Sequence, residues 1–559
     1  MNQAQDRLKL AKLAIWAGPL ATIAVSPSVS FDPINLIKLC VISTIGFGCF
    51  LLLVRQFVKS GNWKFDRRPL YVVLFFLIQL TLVFIISGNN SIQEFYGTSG
   101  RNTGFLAYFV MVCIFLAVQN SSTKVTLDYL VKSVLWTGAL SAAYGFIQYL
   151  ERDPANWLNP YSPVIGFLGN PDFQSAFLGI VASIAFGLLF SKNLSGLTRA
   201  IYVVLGLICL LVIQETKAQQ GNLVFAVGVG TIIVLHIFQR RSRLLSISAI
   251  SGFLLVGFIG ALGSINKGPL ASILFKDTVT FRGDYWQAGW QMSVEHPWFG
   301  VGLDTYGDWY RRTRTLEATL RRGPSITSDT AHNVFLDYSS NGGFPLLIAY
   351  LLFIVLTLIA VVKVFQKNKD VDPAFIAIVG GFVAFQAQSI VSINQIGLAI
   401  WGWLFMGIII GYGLNYMDLS VLKKAPKQKG GNSSESKASA SFVLFFFLGS
   451  VVGLAISLPN FIVDTNFKAA LKSQDANRII ASAHSWPQDS VRTARVIGIL
   501  RENQLNDQAL ALSKVAIARF PDFFGSWNEL SQIPTATPAE IAEAKAQMKR
   551  LDPQNPDLK

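Results

Sequence analysis

The sequence of 559 residues predicts an all-α, polytopic helical membrane protein. Hydrophobic residues make up 52% of the chain and charged residues 14%, whereas soluble domains average roughly 25% charged residues. The apolar residues form long continuous runs, and the strands of a membrane barrel would instead alternate apolar with polar residues. These observations favour a bundle of membrane-spanning helices.

The apolar runs predict about 13 spans, since a helix needs about 20 mostly apolar residues to cross a bilayer. The first run contains Lys12 and lacks a small-residue cleavage site, so we interpret it as a retained span and not as a signal peptide. The predicted spans cover residues 9–26, 34–54, 70–87, 105–120, 128–149, 172–190, 200–214, 222–238, 244–262, 344–362, 374–392, 398–416 and 441–458.

The distribution of Lys and Arg predicts how the spans are oriented. Roughly 23 of these residues fall in one set of alternate connections, against roughly four in the short connections of the other set. The positive-inside rule therefore places the N-terminus in the cytoplasm, and the segment 263–343 and the tail after Leu458 on the opposite side. The net charge of +15 follows this sidedness, so it does not indicate a nucleic-acid partner.

Four regions follow from the pattern of apolar and polar sequence. Residues 1–416 form a membrane domain that includes the long polar segment 263–343. Residues 417–440 are rich in Gly, Ser and Lys, which predicts a flexible cytoplasmic linker. The last span, 441–458, leads to an extracytoplasmic tail, 459–559.

The tail has a repeating pattern of its own. Three prolines, at positions 487, 521 and 553, each follow an amphipathic Ala/Leu pattern, with spacings of 34 and 32 residues. This spacing resembles the tetratricopeptide repeat, whose paired helices stack into a concave array for partners. The pattern predicts a protein partner for the tail, with an unrelated helical bundle as the alternative.

Cysteine and metal-binding patterns are weak throughout the chain. All four cysteines lie inside apolar runs, which predicts buried thiols and neither disulfides nor metal ligands. The sequence has no phosphate-binding glycine loop and no H-E-x-x-H motif, and Asp304 with Asp308 is too weak a pattern to indicate a metal site. We therefore expect an activity without a metal or a cofactor.

Segment 263–343 carries the residues best suited to chemistry. It combines many arginines with two of the four histidines, His296 and His332. Guanidinium groups match phosphate oxygens, and imidazole can take a proton from a hydroxyl near neutral pH. The basic stretch 311–323 predicts either a clamp for an anionic glycan or lipid headgroup, or a solvated helix on the membrane surface. His296 precedes a proline and is interpreted as a turn residue.

Four motifs occur in order on connections predicted to face outward. They are GTSGRNTGFLAYF (97–109), GFLGNPD (166–172), FRGDYWQAGWQMSVEHPWFGVG (281–302) and AHNVFL (331–336). With these motifs, residues 1–416 resemble the bacterial O-antigen ligase and polymerase superfamily.

The resemblance implies a GT-C-like membrane glycosyltransferase of the bacterial cytoplasmic membrane that needs no metal. Members use a polyprenyl-diphosphate-linked glycan, such as one on undecaprenyl diphosphate, as donor. The acceptor is a hydroxyl of a glycan, a lipid or, in some branches, a protein. Surface-polysaccharide ligase and polymerase both fit this description, as does a protein-glycosylating oligosaccharyltransferase of the same superfamily.

His332 is the candidate catalytic residue. The resemblance matches it to the conserved loop histidine of the family, and a general base is needed to deprotonate the acceptor hydroxyl. A structural histidine bound to its own loop is the alternative.

The resemblance assigns Arg282 to the donor diphosphate, with an ion pair to Asp284 or Glu295 as the alternative. Arg101, at an outer membrane edge, is a second candidate, for which function and structure are equally open. Related chains carry an arginine in the short loop QETKAQQG, where this sequence has Gln219 with Lys217 nearby. Lys217 could supply the missing charge as a single-point donor.

Two other functional classes compete with a transferase. A flippase or transporter for lipid-linked glycans should place charges at mid-membrane and show two similar halves with broken helices. A membrane anchor that only displays the tail does not explain the basic segment 263–343. The charge distribution favours the transferase.

Overall fold

The computed structural model describes residues 2–60, 67–155, 157, 162–239, 243–264, 266–269, 271–274, 277–414 and 439–558. In these ranges the chain forms helices and no strand, which confirms the all-α prediction. Most of the predicted linker 417–440 lies outside the described residues. The helices are α1 (Asn2–Ile15), α2 (Ala17–Ile23), α3 (Asn35–Ser60), α4 (Arg68–Ile86), α5 (Ser91–Tyr96), α6 (Phe105–Gln119), α7 (Lys124–Tyr149), α8 (Pro171–Leu188), α9 (Gly196–Glu215), α10 (Gln220–Gln239), α11 (Arg243–Ser264), α12 (Ala271–Leu274), α13 (Asp277–Glu295), α14 (Tyr306–Thr313), α15 (Leu316–Arg322), α16 (Val334–Lys367), α17 (Pro373–Val391), α18 (Ile396–Leu414), α19 (Ala440–Ser473), α20 (Ala476–His484), α21 (Ser490–Glu502), α22 (Asn506–Arg519), α23 (Phe524–Ser531) and α24 (Pro538–Leu551).

Ten of the described helices are long and apolar enough to cross a membrane, which confirms a polytopic helical membrane protein. Two further predicted spans are shorter apolar helices, α6 and residues 244–260 of α11. The first predicted span, 9–26, is divided between α1 and α2. The full count of 13 spans therefore stays a prediction at these three places.

Lys38 explains how the short helix α2 ends inside the bundle. Its ammonium group is fully buried and donates to the carbonyl oxygens of Ala21, Thr22 and Ala24, each at 2.8 Å. The last carbonyls of a helix have no partner in the helix, and leaving them bare in an apolar environment is costly. Lys38, which the sequence places at the edge of a span, thus supplies hydrogen bonds to the buried C-terminal end of α2.

Several connections assigned to the same side contact one another. Arg55 pairs with Asp6 at 3.2 Å, and Lys192 pairs with Asp370 at 3.2 Å, so connections assigned to the cytoplasm contact one another. At the opposite end the loop 88–104 contacts segment 263–343. Which end faces the cytoplasm remains a prediction from charge.

The tail joins the last span without a break. Helix α19 runs through Pro459, so the predicted boundary at 458/459 lies inside one helix. Helices α20–α24 enclose a separate hydrophobic core that includes Phe467, Ile497 and Trp527. Helices α21 and α23 begin at the spacing seen in the sequence, and the tetratricopeptide identification stays a prediction.

Candidate active site

Segment 263–343 contacts the connection 88–104 through the buried Asp304 and the half-buried Asp308. Asp304 Oδ2 accepts from the backbone N–H groups of Thr98 and Thr103 at 2.8 and 3.2 Å. Gln93 Nε2 donates to Asp308 Oδ2 at 2.8 Å. The acidic pair of the sequence therefore joins two loops. Among the residues that the structure describes, no group of three or more His, Cys, Asp or Glu side chains is placed to hold a metal ion.

The backbone around His332 is fixed from both sides. The Asn333 side chain caps α16 and accepts from the N–H groups of Phe335 and Leu336 at 3.0 and 3.1 Å. Asp337 Oδ1 accepts from Ala331 N at 2.8 Å. His332 itself has a φ of 52°, in the left-handed region that non-glycine residues rarely adopt, so the surrounding hydrogen bonds have to hold it there.

The imidazole of His332 is neutral at physiological pH. Burial lowers its pKa to about 4, and the positive charges of Arg101 and Arg282 act in the same direction. Nδ1 lies 3.3 Å from the Thr330 carbonyl oxygen. If Nδ1–H donates to that oxygen, Nε2 carries the lone pair that can accept a proton.

Arg101 contacts Asp329, which lies three residues before His332 in the same loop (the histidine loop). Its Nε and Nη2 donate to the two carboxylate oxygens of Asp329, each at 2.7 Å. Burial by itself would raise the pKa of Asp329, but the charge and hydrogen bonds of Arg101 hold that pKa below its ordinary value. The structure thus brings Arg101, from the motif 97–109, within Coulombic range of His332.

Arg282 is more loosely held than Arg101. Its closest acidic partner among the described residues is Asp172, with 3.7 Å between Nη2 and Oδ2. The expected alternative, an ion pair with Asp284 or Glu295, is wrong, because Asp284 accepts from Arg321 Nη1 at 2.6 Å and Glu295 accepts from a neighbouring glutamine. Asp172 belongs to the motif 166–172, so two motifs that are distant in sequence meet at Arg282.

A polar cleft lies next to Arg101 and Thr330 and was missed in the sequence. Asn394 Nδ2 donates to the hydroxyl groups of Tyr108 and Tyr338 at 3.4 and 3.3 Å. The polar lining of this cleft also includes Asn35, Thr103, Asp304, Asp337, Asn341 and Gln395. The signal was the run S-I-N-Q at 392–395, a polar interruption between two apolar runs that become α17 and α18.

Part of the chain matches a known protein family. Residues 209–351 match the O-antigen ligase family model. The match covers Arg282 and His332, confirms the resemblance to the O-antigen ligase superfamily and supports a glycosyl-transfer enzyme of the membrane. A search of the curated proteins finds no match.

The residues that match the family model, 209–351, also include Lys217 and Gln219. Lys217 pairs with its neighbour Glu215, with 3.0 Å between Nζ and Oε2, and is largely exposed. Gln219 immediately precedes α10. No contact between either side chain and Arg101, Arg282 or His332 is present in the described part of the chain, so their place in donor binding stays a prediction.

Three arginines of the basic stretch 311–323 pair with acidic residues of the tail. Arg314 is buried, and its Nη2 lies 2.6 Å from Asp552 Oδ2 in the tail. Arg311 Nη1 contacts the same oxygen at 3.0 Å, and Arg312 Nη2 lies 3.0 Å from Asp522 Oδ1. These three arginines attach residues 311–314 to the tail, so they do not form the solvated helix of one expectation. A clamp for an anionic glycan or lipid headgroup stays a prediction.

Proposed function

We propose that the protein transfers a glycan from a polyprenyl-diphosphate donor to a hydroxyl acceptor, without a metal ion and with His332 as general base. The observation that supports it is the half-buried position of His332, where burial and the charges of Arg101 and Arg282 lower the imidazole pKa to about 4. An unprotonated base near positive charge suits transfer away from a diphosphate.

The reaction is a displacement at the anomeric carbon of the donor sugar. The Nε2 atom of His332 takes the proton of the acceptor hydroxyl as the acceptor oxygen forms its bond to the anomeric carbon. The bond from that carbon to the diphosphate oxygen breaks, and the electron pair leaves with the lipid diphosphate. Attack opposite the leaving group inverts the anomeric configuration.

Arg282 is the better candidate for the donor diphosphate. Among the residues that the structure describes, its ion pair is with Asp172 at 3.7 Å, whereas Arg101 already makes two hydrogen bonds to Asp329. A diphosphate can bind Arg282 with little loss, but it has to compete with Asp329 for Arg101. Arg101 then contributes chiefly by adding positive charge and by holding the histidine loop in place.

Donor binding also changes the basicity of His332. Two nearby cations and burial hold its pKa at about 4, which keeps the ring unprotonated and makes it a weak base. A diphosphate anion beside it would stabilise the imidazolium form and raise the pKa. The histidine therefore becomes a stronger base only when the donor is in place.

The test is transfer by the purified protein in lipid nanodiscs. A polyprenyl-diphosphate glycan and acceptors with glycan, lipid or peptide hydroxyls are supplied with EDTA, and products are identified by mass. We expect a glycosylated acceptor and free lipid diphosphate. Movement of the donor across a vesicle membrane without any product would contradict the proposal and favour the transporter.

A further inference from the structure

Helix α13 runs alongside the first part of α16 toward the membrane domain. Gly289 packs against Ala331, and Ser293 Oγ donates to Ser339 Oγ at 2.8 Å. At the end of this contact the backbone of Trp298 lies against Gly343. Gly343 has a φ of 75° and directly precedes the predicted span 344–362. The two helices therefore run side by side in the same direction, and α13 ends where that span begins.

The depth of this turn can be read from α4. Gln79 Nε2 donates to the carbonyl oxygens of Trp298 and Gly342 at 2.6 and 3.0 Å. Gln79 lies two helical turns before the end of α4 at Ile86, and a rise of 1.5 Å per residue makes this about 10 Å. With Ile86 at the edge of a hydrocarbon core about 30 Å thick, the carbonyl group of Trp298 would lie inside the nearer leaflet.

The chain then returns to the surface. Asn89, beyond the end of α4, donates from Nδ2 to the carbonyl oxygen of Val301 at 2.6 Å. Trp298 and Val301, three residues apart, therefore bind Gln79 inside α4 and Asn89 beyond its end. Residues 290–301 thus enter and leave on the same side of the bundle.

The irregular backbone of this turn is satisfied by protein groups. Phe344 N donates to the Pro297 carbonyl at 2.8 Å, and Gly300 N donates to the His296 carbonyl at 2.9 Å. Val301 N donates to the Ser340 carbonyl at 2.7 Å. Non-helical backbone is tolerated at membrane depth only when its polar groups have such partners.

Part of the outer face of the same segment is apolar and uncovered, beside the exposed Gln291 and Glu295. Trp290 and Val294 are four residues apart on α13, and Trp298 lies in the turn that follows; they are 55%, 50% and 70% exposed. The Trp290 ring packs edge-on against Phe344 at 6.0 Å. The two spans that contact this segment, α4 and α16, also carry exposed apolar side chains, including Ile78, Leu82, Ile348 and Leu352.

We propose that Trp290, Val294 and Trp298 are embedded among the acyl chains of the nearer leaflet, so that 290–301 is a re-entrant part of the membrane domain. The depth of Gln79 and the continuity with lipid-facing spans select lipid as the occupant of this face. Hydropathy predicts that the whole of 263–343 is an aqueous segment. The charged residues of the segment outweigh its short apolar face in the average hydropathy. This embedding does not depend on the proposed chemistry.

Single cysteines carrying a spin label test the depth of this face. The four buried native cysteines are first replaced, and Trp298→Cys is compared in nanodiscs with two exposed controls. Trp136→Cys lies on the span α7, and Trp486→Cys lies in the tail. We expect label 298 to collide with oxygen and not with a water-soluble nickel chelate, as label 136 does. Access to the chelate equal to that of label 486 would overturn the proposal.

A second measurement avoids the label. In nanodiscs made with brominated acyl chains, Trp298→Phe should reduce the lipid-quenched part of the tryptophan fluorescence, whereas Trp486→Phe should leave that part unchanged. Both replacements keep an aromatic ring and so preserve packing. A quenched fraction that is the same with and without Trp298 would also overturn the proposal.

Discussion

Arg314 and Asp552 form a buried ion pair that joins segment 263–343 to the tail, where Asp552 directly follows α24. Two hydrogen bonds connect them, at 2.6 Å from Nη2 to Oδ2 and at 3.2 Å from Nε to Oδ1. Two further N–H groups of Arg314 donate to the carbonyl oxygens of Pro324 and Ile326. The connection after α15 and the tail are therefore fixed to each other by one guanidinium group.

We predict that Asp552→Asn weakens the attachment of the tail. Breaking a buried pair leaves an uncompensated charge and typically costs about 3–5 kcal/mol. The expected result is a lower melting temperature and faster hydrogen exchange in α14, α15 and α24. Asp522→Asn is the matched control, since its exposed pair with Arg312 should contribute about 1 kcal/mol or less. Equal effects of the two variants would contradict this assignment.

His332→Ala should lower the rate of transfer by about 10²–10⁴-fold, the usual contribution of a general base. The melting temperature should change little, because the Asn333 cap and the Asp337 contact remain. His296→Ala serves as the control, since that ring packs against Trp309 in the same region. A stable His332 variant with the turnover of the unmodified protein would remove His332 from the mechanism.

The pH dependence should report the lowered pKa of His332. Only the neutral imidazole can take a proton, so kcat/KM should fall as the pH drops through about 4, and not near the ordinary value of 6.5. The acid limb of kcat should lie at higher pH, because bound diphosphate raises the pKa. Arg282→Gln removes a nearby cation and should shift the limb of kcat/KM upward. If the acid limb of kcat/KM stays at the same pH in Arg282→Gln, Arg282 does not act on His332.

Arg282→Lys should weaken donor binding while acceptor binding stays the same. An ammonium keeps the charge but cannot reproduce the two-point contact of a guanidinium with phosphate oxygens. We expect the donor KM to rise roughly tenfold, equivalent to about 1.4 kcal/mol. Arg321→Lys is the matched control, because Arg321 pairs with Asp284. If both substrates bind more weakly in the Arg282 variant, its role is structural.

Local features of the chain made much of the site predictable. The motif AHNVFL singled out His332, and in the structure the next residue, Asn333, caps α16. Hydropathy and capping depend on residues close together in sequence, which is why they can be read without the fold. The same reasoning failed for the polar run 392–395, since a short interruption between spans predicts a turn and not the wall of a cleft.

The sequence by itself determined the helical membrane architecture, the Lys and Arg asymmetry and the candidates His332 and Arg282. Only the tertiary structure decided their partners. Arg101 pairs with Asp329 across 228 residues, and Arg314 pairs with Asp552 across 238 residues. A charge in the sequence shows that a partner is needed but not which one, because side-chain ion pairs act over a few ångströms and packing alone brings such distant residues within that range.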